Sequence, residues 1–266
     1  MLGIVQGRLS LSGKKLQCFP KKPLNEFKLA SKIGYDFIEF FGERIKNNNN
    51  PIWTDDGIKK YIKASKKYNQ KIYSFCDDYI INHSLGGKKT LNEIVNTIKQ
   101  LNKLNIKKYI LPLYGKSFIN KKNKKKVIEN LSVISKICKT KKIELLIESN
   151  MSPKEFFSLK KKIKSNNFYF LFDTGNRVLL KKNLVLDICK FKSEIKHVHL
   201  KDKNFKNKNV IIGKGEVKFK SIFKELKKIN YKGSFTIESQ RGKNIKNQAT
   251  ENYIFFKKLI NQYLTK

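Results

Sequence analysis

Two of the chain's three histidines stand two residues apart, in His197-Val198-His199-Leu200-Lys201-Asp202. Along a β-strand residues i and i+2 share a side, so two imidazoles there would serve one surface. Apolar–polar alternation from Glu194-Ile195-Lys196 onward marks the stretch as a strand. A hydrogen-bonded structural pair is the plain reading of the histidines; a chemical site is the other. Three further apolar runs each end on an acid. They are Ile143-Glu144-Leu145-Leu146-Ile147-Glu148, Phe168-Tyr169-Phe170-Leu171-Phe172-Asp173 and Gly233-Ser234-Phe235-Thr236-Ile237-Glu238. An unpaired carboxylate is expensive to bury, so acids at the ends of apolar strands need a reason. Taken together, Glu148, Asp173, His199 and Glu238 read as a ligand set. Three carboxylates and one imidazole suit one divalent ion (Mn, Mg, Co or Zn) better than copper or an iron–sulfur cluster.

The elements that must carry these residues alternate between strand and helix. Strands are expected at about 2–7, 35–41, 71–76, 108–113 and 143–148, then over the three runs ending at Asp173, near Leu200 and at Glu238. Helices are expected from Pro23 to a stop at Gly34, from a Thr54 cap, over 90–104, after the lysine run 121–126, from Ser152-Pro153, near 184–189, over 218–229 and over 249–263. Arg8 to Lys22 and Asn47 to Asn50 read as loops. So do the polar, aromatic stretch Asp77 to Leu85 and the stretch holding Gly213-Lys214-Gly215-Glu216. Eight strand–helix units with no linker between them point to a single α/β domain, residues 1–266, folded as a (β/α)₈ TIM barrel. The rival is an open doubly wound sheet. The acids favour the barrel, because the ends of strands five to eight are neighbours at its C-terminal mouth and need not converge in an open sheet.

The formal net charge of +38 would by itself suggest a nucleic acid or an anionic surface as partner. Its make-up argues otherwise. Only Arg8, Arg44, Arg177 and Arg241 are arginines among 59 basic residues, and lysine lies over every expected helix. Readers of nucleic acids rely on the arginine fork for phosphate and guanine. Solvated helix faces are the better reading, and no nucleic-acid partner is expected. No run of 18 apolar residues offers a membrane span, and Met1-Leu2-Gly3-Ile4-Val5 starts as a strand and not as a signal peptide, so a cytoplasmic protein is expected. Cys18, Cys76, Cys138 and Cys189 lack any Cys-x-x-Cys spacing and read as free thiols.

On these residues the chain resembles the xylose-isomerase-like superfamily of sugar isomerases and epimerases, and among them L-ribulose-5-phosphate 3-epimerase-like proteins. The resemblance rests on Ile147-Glu148, Asp173-Thr174-Gly175-Asn176, the His197 to Asp202 run, Gly213-Lys214-Gly215-Glu216-Val217-Lys218-Phe219 and Tyr231 to Glu238, and it covers nearly the whole chain. It implies one divalent metal held by Glu148, Asp173, His199 and Glu238, with Glu148 and Glu238 doubling as the catalytic acid and base. The implied reaction is epimerisation or aldose–ketose isomerisation of a sugar through a cis-enediolate. Proton return to the opposite face inverts the carbon; one face used twice isomerises it. Relatives are often homodimers or homotetramers.

Three departures bear on the substrate. Several non-phosphorylated ketose epimerases carry a histidine where Asn176 stands and an arginine where Phe205 stands. Both differences lean toward sugar phosphates. In the loop after the third strand, where the phosphate-sugar branch usually offers a histidine, the stretch here is Cys76-Asp77-Asp78-Tyr79, with His83 later. The substrate-contact candidates are Lys201, which could meet a phosphate, Asp202, which could orient a hydroxyl, Asn176, Arg241, Glu39 and Asp78. Each has a plainer reading as a structural hydrogen-bonding group or loop salt bridge. Gly213 and Gly215 could bring backbone N–H groups to a phosphate or form a simple turn, and Arg177 has a weaker claim on an anion. Other readings on the same barrel are a sugar dehydratase, a non-catalytic sugar-binding protein and an endonuclease-IV-like repair enzyme. The last needs a histidine-rich three-metal cluster that three histidines cannot supply.

Overall fold

The computed structural model describes residues 1–10, 17–180 and 183–265, so the loop expected over 8–22, Gly13 included, is seen only in part. Eight parallel strands run in the order β1-β8-β7-β6-β5-β4-β3-β2 of a closed barrel. They are β1 (Leu2–Val5), β2 (Phe37–Gly42), β3 (Lys71–Asp77), β4 (Lys108–Pro112), β5 (Glu144–Glu148), β6 (Phe168–Asp173), β7 (Ile195–Leu200) and β8 (Ser234–Ile237). The principal helices are α1 (Asn25–Ile33), α2 (Asp55–Tyr68), α3 (Lys88–Asn102), α4 (Lys124–Thr140), α5 (Pro153–Ile163), α6 (Leu184–Phe191), α7 (Phe219–Lys228) and α8 (Ile245–Leu264). This is the (β/α)₈ barrel that the alternation of runs predicts.

Local chemistry sets several boundaries. α1 stops at Gly34, whose φ of 105° is left-handed and whose N–H reaches back to Ala30 and Ser31. The Thr54 hydroxyl accepts from the Gly57 N–H and starts α2. Ser152 and Glu155 form a capping box that starts α5, with Pro153 at its first turn. α8 begins at Ile245, several residues before the expected start, because the Asn244 side chain accepts from Asn247 and caps it. Two short elements were not expected from the sequence. Tyr79–Asn82 and Thr174–Val178 are single helical turns directly after β3 and β6. The stretch after β7 forms a small antiparallel ribbon, Asp202–Lys203 with Asn209–Val210.

Two compact units divide the chain. One comprises residues 1–38 and the chain from Phe170 onward. Its core is largely aromatic: Phe170 stacks on Phe191 at 4.1 Å and Phe223 on Phe235 at 5.3 Å between centroids. The other comprises residues 39–169. There Phe75 stacks on Tyr109 at 5.7 Å, and Val127, Leu131 and Ile134 of α4 are fully buried. Among the described residues no helix is long and apolar enough to cross a membrane. Cys76 and Cys138 are buried, Cys18 and Cys189 half-buried, and all four are free thiols. Burial pushes the Cys138 thiol up to about 12.

Candidate metal and sugar site

In the first unit, strand register brings three of the expected ligands together. His199 pairs with Asp173 across β6–β7 and with Thr236 across β7–β8. Glu238 lies two residues beyond Thr236, on the same side of the strand. Its N–H donates to Leu200 O, which extends the ladder by one step. His199 Nδ1 stands 3.1 Å from Glu238 Oε2 and 3.9 Å from Asp173 Oδ2. All three side chains are buried.

Lys201 completes the cluster. Its Nζ lies 2.7 Å from Glu238 Oε1 and 3.3 Å from Asp173 Oδ2. Two residues not singled out in the sequence also face Glu238. Gln17 Nε2 donates to Glu238 Oε1 at 3.0 Å, and Arg8 Nη2 donates to Gln17 Oε1 at 2.6 Å while lying 3.9 Å from Glu238. They stand more than 220 positions away in the chain, and no local pattern could pair them. Burial works against the charged form of Glu238. The Lys201 ammonium, the His199 hydrogen bond and the Arg8 guanidinium outweigh it and hold the carboxyl well below its usual range.

Asp173 is fixed by the turn that follows it. The Asn176 N–H donates to Asp173 Oδ1 at 2.6 Å, and Asn176 Nδ2 to Oδ2 at 3.2 Å. Asn176 therefore orients a candidate ligand. His197 sits deeper in the wall, with its ring nitrogens 2.7 Å from the Ser234 hydroxyl and 2.8 Å from the Thr236 hydroxyl.

Asp202 is fully buried and accepts from three backbone N–H groups. Gly213 and Gly215 donate to Oδ2 at 2.9 and 3.0 Å, and Val217 to Oδ1 at 3.2 Å. The glycine N–H groups that the sequence offers to a phosphate point at this carboxylate. A Cβ on Gly215 would come 2.3 Å from Asp202 Oδ1. Arg241 Nε donates to Gly7 O at 2.7 Å, and burial, which disfavours the charged guanidinium, lowers its pKa from the ordinary value. Arg177 is buried, ion-paired to Asp187, with its guanidinium 5.3–5.5 Å from the ring centres of Phe170, Phe172 and Phe191. That enclosure makes it a core cation, not an anion-binding group.

In the second unit, Glu148 is buried at the end of β5, paired in register with Pro112 of β4. Glu39 is buried in β2 and accepts from the Ser74 hydroxyl at 2.6 Å. Asp78 is buried at the start of the turn after β3, where Cys76 Sγ approaches its Oδ1 at 3.8 Å. Its neighbour Asp77 accepts from the Tyr109 hydroxyl, and burial pushes its carboxyl up to about 6.

The donors in the first unit fit a divalent cation. Two buried carboxylates and an imidazole nitrogen converge, and a positive charge already stands between the carboxylates in the form of Lys201 Nζ. Hard oxygens with one borderline nitrogen suit Mg, Mn, Co or Zn.

An inosose dehydratase of Clostridium botulinum (strain Eklund 17B / Type B) is 28% identical over 156 residues, covering 50% of this chain and 52% of that protein. The chain thus matches about half the length of its curated relatives. A solved L-ribulose 3-epimerase superposes with a TM-score of 0.80 at 14% identity, over 98% of this chain and 95% of the other. D-psicose 3-epimerase from Clostridium cellulolyticum H10 gives 0.78 at 14% identity, over 97% and 99%. At such identities the structural likeness speaks for the fold. Residues 27–259 match the family described as Xylose isomerase-like TIM barrel, and the chain belongs to that family.

Proposed function

We propose that this chain is a divalent-metal-dependent sugar isomerase or epimerase that moves a proton on the carbon beside a carbonyl. The observation that carries the reading is the meeting of Asp173, His199 and Glu238 around one cation position. Membership of the family supports it, as does the likeness to a D-psicose 3-epimerase and an L-ribulose 3-epimerase. We assign the fourth ligand to Glu148, at the C-terminal end of β5, where (β/α)₈ enzymes keep their chemistry. Glu39 and His197 are also buried donors of suitable type; both ring nitrogens of His197 face hydroxyls, at 2.7 and 2.8 Å, and we assign Glu39 to the sugar. They are left out of the ligand set.

A bound divalent ion would polarise the sugar carbonyl and stabilise negative charge on the adjacent oxygens of a cis-enediolate. The chain's own groups do the rest. His199, Lys201 and Arg8 keep Glu238 ionised, so it is in the form that accepts a proton. We assign Glu148 as the partner acid. Arg8 and Gln17 fix the Glu238 carboxylate, and Asn176 fixes Asp173. Asp202 holds the loop after β7, and Arg241 holds the turn at Gly7. Lys201, Glu39 and Asp78 are the side chains we assign to the sugar itself.

The test is proton exchange. Mn²⁺-loaded protein incubated with ketoses and ketose phosphates in D₂O should place deuterium on one carbon, read by NMR. Glu148→Gln and Glu238→Gln should each abolish exchange. Full exchange in both variants, with the metal still bound, would refute the two-carboxylate mechanism.

The inosose dehydratase relatives favour a second reading on the same residues. Proton removal beside the carbonyl, followed by loss of hydroxide from the next carbon, is dehydration. It would show as a product lighter by one water when inosose is supplied.

A further inference from the structure

Lys201 reaches into the place that the proposed divalent ion would take. Its side chain is 8% exposed, and its Nζ sits between two candidate ligand carboxylates at 2.7 and 3.3 Å. Two features of the sequence hold it there. The Thr174 hydroxyl accepts from the Lys201 N–H at 3.0 Å and donates to Lys201 O at 2.6 Å, which clamps the backbone on both sides. The lysine stem then passes over Gly175, where a Cβ would meet Lys201 Cγ at 2.7 Å and Cβ and Cδ at 3.1 Å. Thr174 and Gly175 directly follow the ligand Asp173, so one short segment supplies the carboxylate, the clamp and the space for the stem.

We propose that Lys201 is a resident counter-cation, whose ammonium holds the ligand cage together in the metal-free protein and must leave it when a divalent ion enters. This rests on the metal reading above and adds a role for one residue. The physical case is direct. Asp173 and Glu238 carboxylates facing one buried point repel each other unless a positive charge lies between them. Asp173 and Glu238 would hold the ion with the same carboxylates that now face the ammonium at 3.3 and 2.7 Å. Two cations cannot share the place between them. The lysine therefore stabilises the empty cage and competes with the ion, by the linkage that governs any two ligands of one site. Lysine suits this task better than arginine, because its charge is compact and its four-carbon stem can swing clear. Once displaced it remains beside the site as a donor for a substrate oxygen.

The experiment compares wild type, Lys201→Met and Gly175→Ala, each stripped with chelator and then titrated with Mn²⁺ by calorimetry, with thermal unfolding in both states. Lys201→Met should lower the Tm of the metal-free protein by about 10 °C. It should also tighten Mn²⁺ binding at least tenfold, and Mn²⁺ should restore its Tm. Gly175→Ala keeps the charge but blocks the path of the stem, so it should move both readings in the same directions. It carries the test alone if Lys201→Met does not fold. Wild-type Mn²⁺ affinity or weaker binding in the variants, with binding by wild type intact, would overturn the counter-cation role and leave the metal site standing. No Mn²⁺ binding by any of the three would overturn both.

Discussion

Asp202 follows the candidate ligand His199 by three residues, and its position invites a role in substrate binding. The structure gives it different work, and a single substitution separates the two. Its carboxylate is buried and accepts from Gly213, Gly215 and Val217, which ties down the loop between the ribbon and α7. Asp202→Asn keeps one carbonyl oxygen and replaces the other with an amide that cannot accept. Oriented to serve Val217, the new NH₂ would face the two glycine donors. A hydrogen bond to a charged acceptor contributes about 1.5–3 kcal/mol net, and part of the loss is recovered as the loop turns to water. The expected loss is about 3 kcal/mol, which for a chain of this size lowers Tm by about 10 °C. Circular dichroism melts at pH 7 give the first reading. Trypsin gives the second, because Lys203, Lys206, Lys208, Lys214 and Lys218 flank or lie within the released segment and should be cut faster. Gly215→Ala, whose Cβ would also come 2.5 Å from Lys203 O, should reproduce both effects. An Asp202→Asn protein with unchanged Tm and unchanged cleavage, but a raised KM, would refute the loop-anchor reasoning and return Asp202 to the substrate.

Other outcomes follow from the buried charges. Asp77, pushed up to about 6 from 3.8 by burial, stabilises the fold fully below pH 3.8 and loses that contribution as pH rises through 6. Asp77→Asn should therefore gain about 3 kcal/mol on wild type between pH 4 and pH 7 in urea unfolding, and a difference independent of pH would contradict the assignment. Arg177→Met should cost about 3 kcal/mol, because it strands Asp187 in a buried setting. It should leave the preference between phosphorylated and free sugars unchanged, and a selective loss of the phosphorylated substrate would restore Arg177 to an anion-binding role. Gly57→Ala should weaken the start of α2 by at least about 1 kcal/mol, read by urea unfolding, since its Cβ would fall 2.1 Å from Pro51 O.

The barrel and the ligand candidates were legible because both are local patterns. An apolar run that ends on an acid can be read within six residues, and the i, i+2 spacing of His197 and His199 can be read within three. Strand register then does the assembly: His199 lies opposite Asp173, and Glu238 two steps past Thr236. Arg177 shows the limit. From the sequence it is one of four arginines, four residues after an acid that ends a strand. Its surroundings, three phenylalanines and Asp187 drawn from β6 and α6, exist only after folding. The same holds for Asp202, whose three donors come from residues 11 to 15 positions away, and for Gln17 and Arg8, which reach Glu238 across almost the full length of the chain. The short turn Thr174–Val178 was missed because five residues give no helical period to read.

The charge of the molecule takes on a different meaning once burial is known. A sequence with 59 basic and 21 acidic residues reads as a polycation. Ten of those acids are nevertheless buried: Glu26, Glu39, Asp77, Asp78, Glu148, Asp173, Asp187, Asp202, Glu225 and Glu238. Among the described residues only Arg8, Lys108, Arg177 and Lys201 are buried bases. Among the described residues, buried acidic side chains therefore outnumber buried basic ones. Some of that excess has local partners, such as Arg177 for Asp187 and backbone donors for Asp202 and Glu26. The carboxylates at the ends of β6 and β8 are met by Lys201, with Arg8 farther off, and a divalent ion in place of the ammonium would bring the charge that one ammonium supplies only in part. Surface lysine thus says little about the partner of this protein. The informative charges are Asp173 and Glu238, two acids that folding withdraws from water and sets on either side of the Lys201 ammonium.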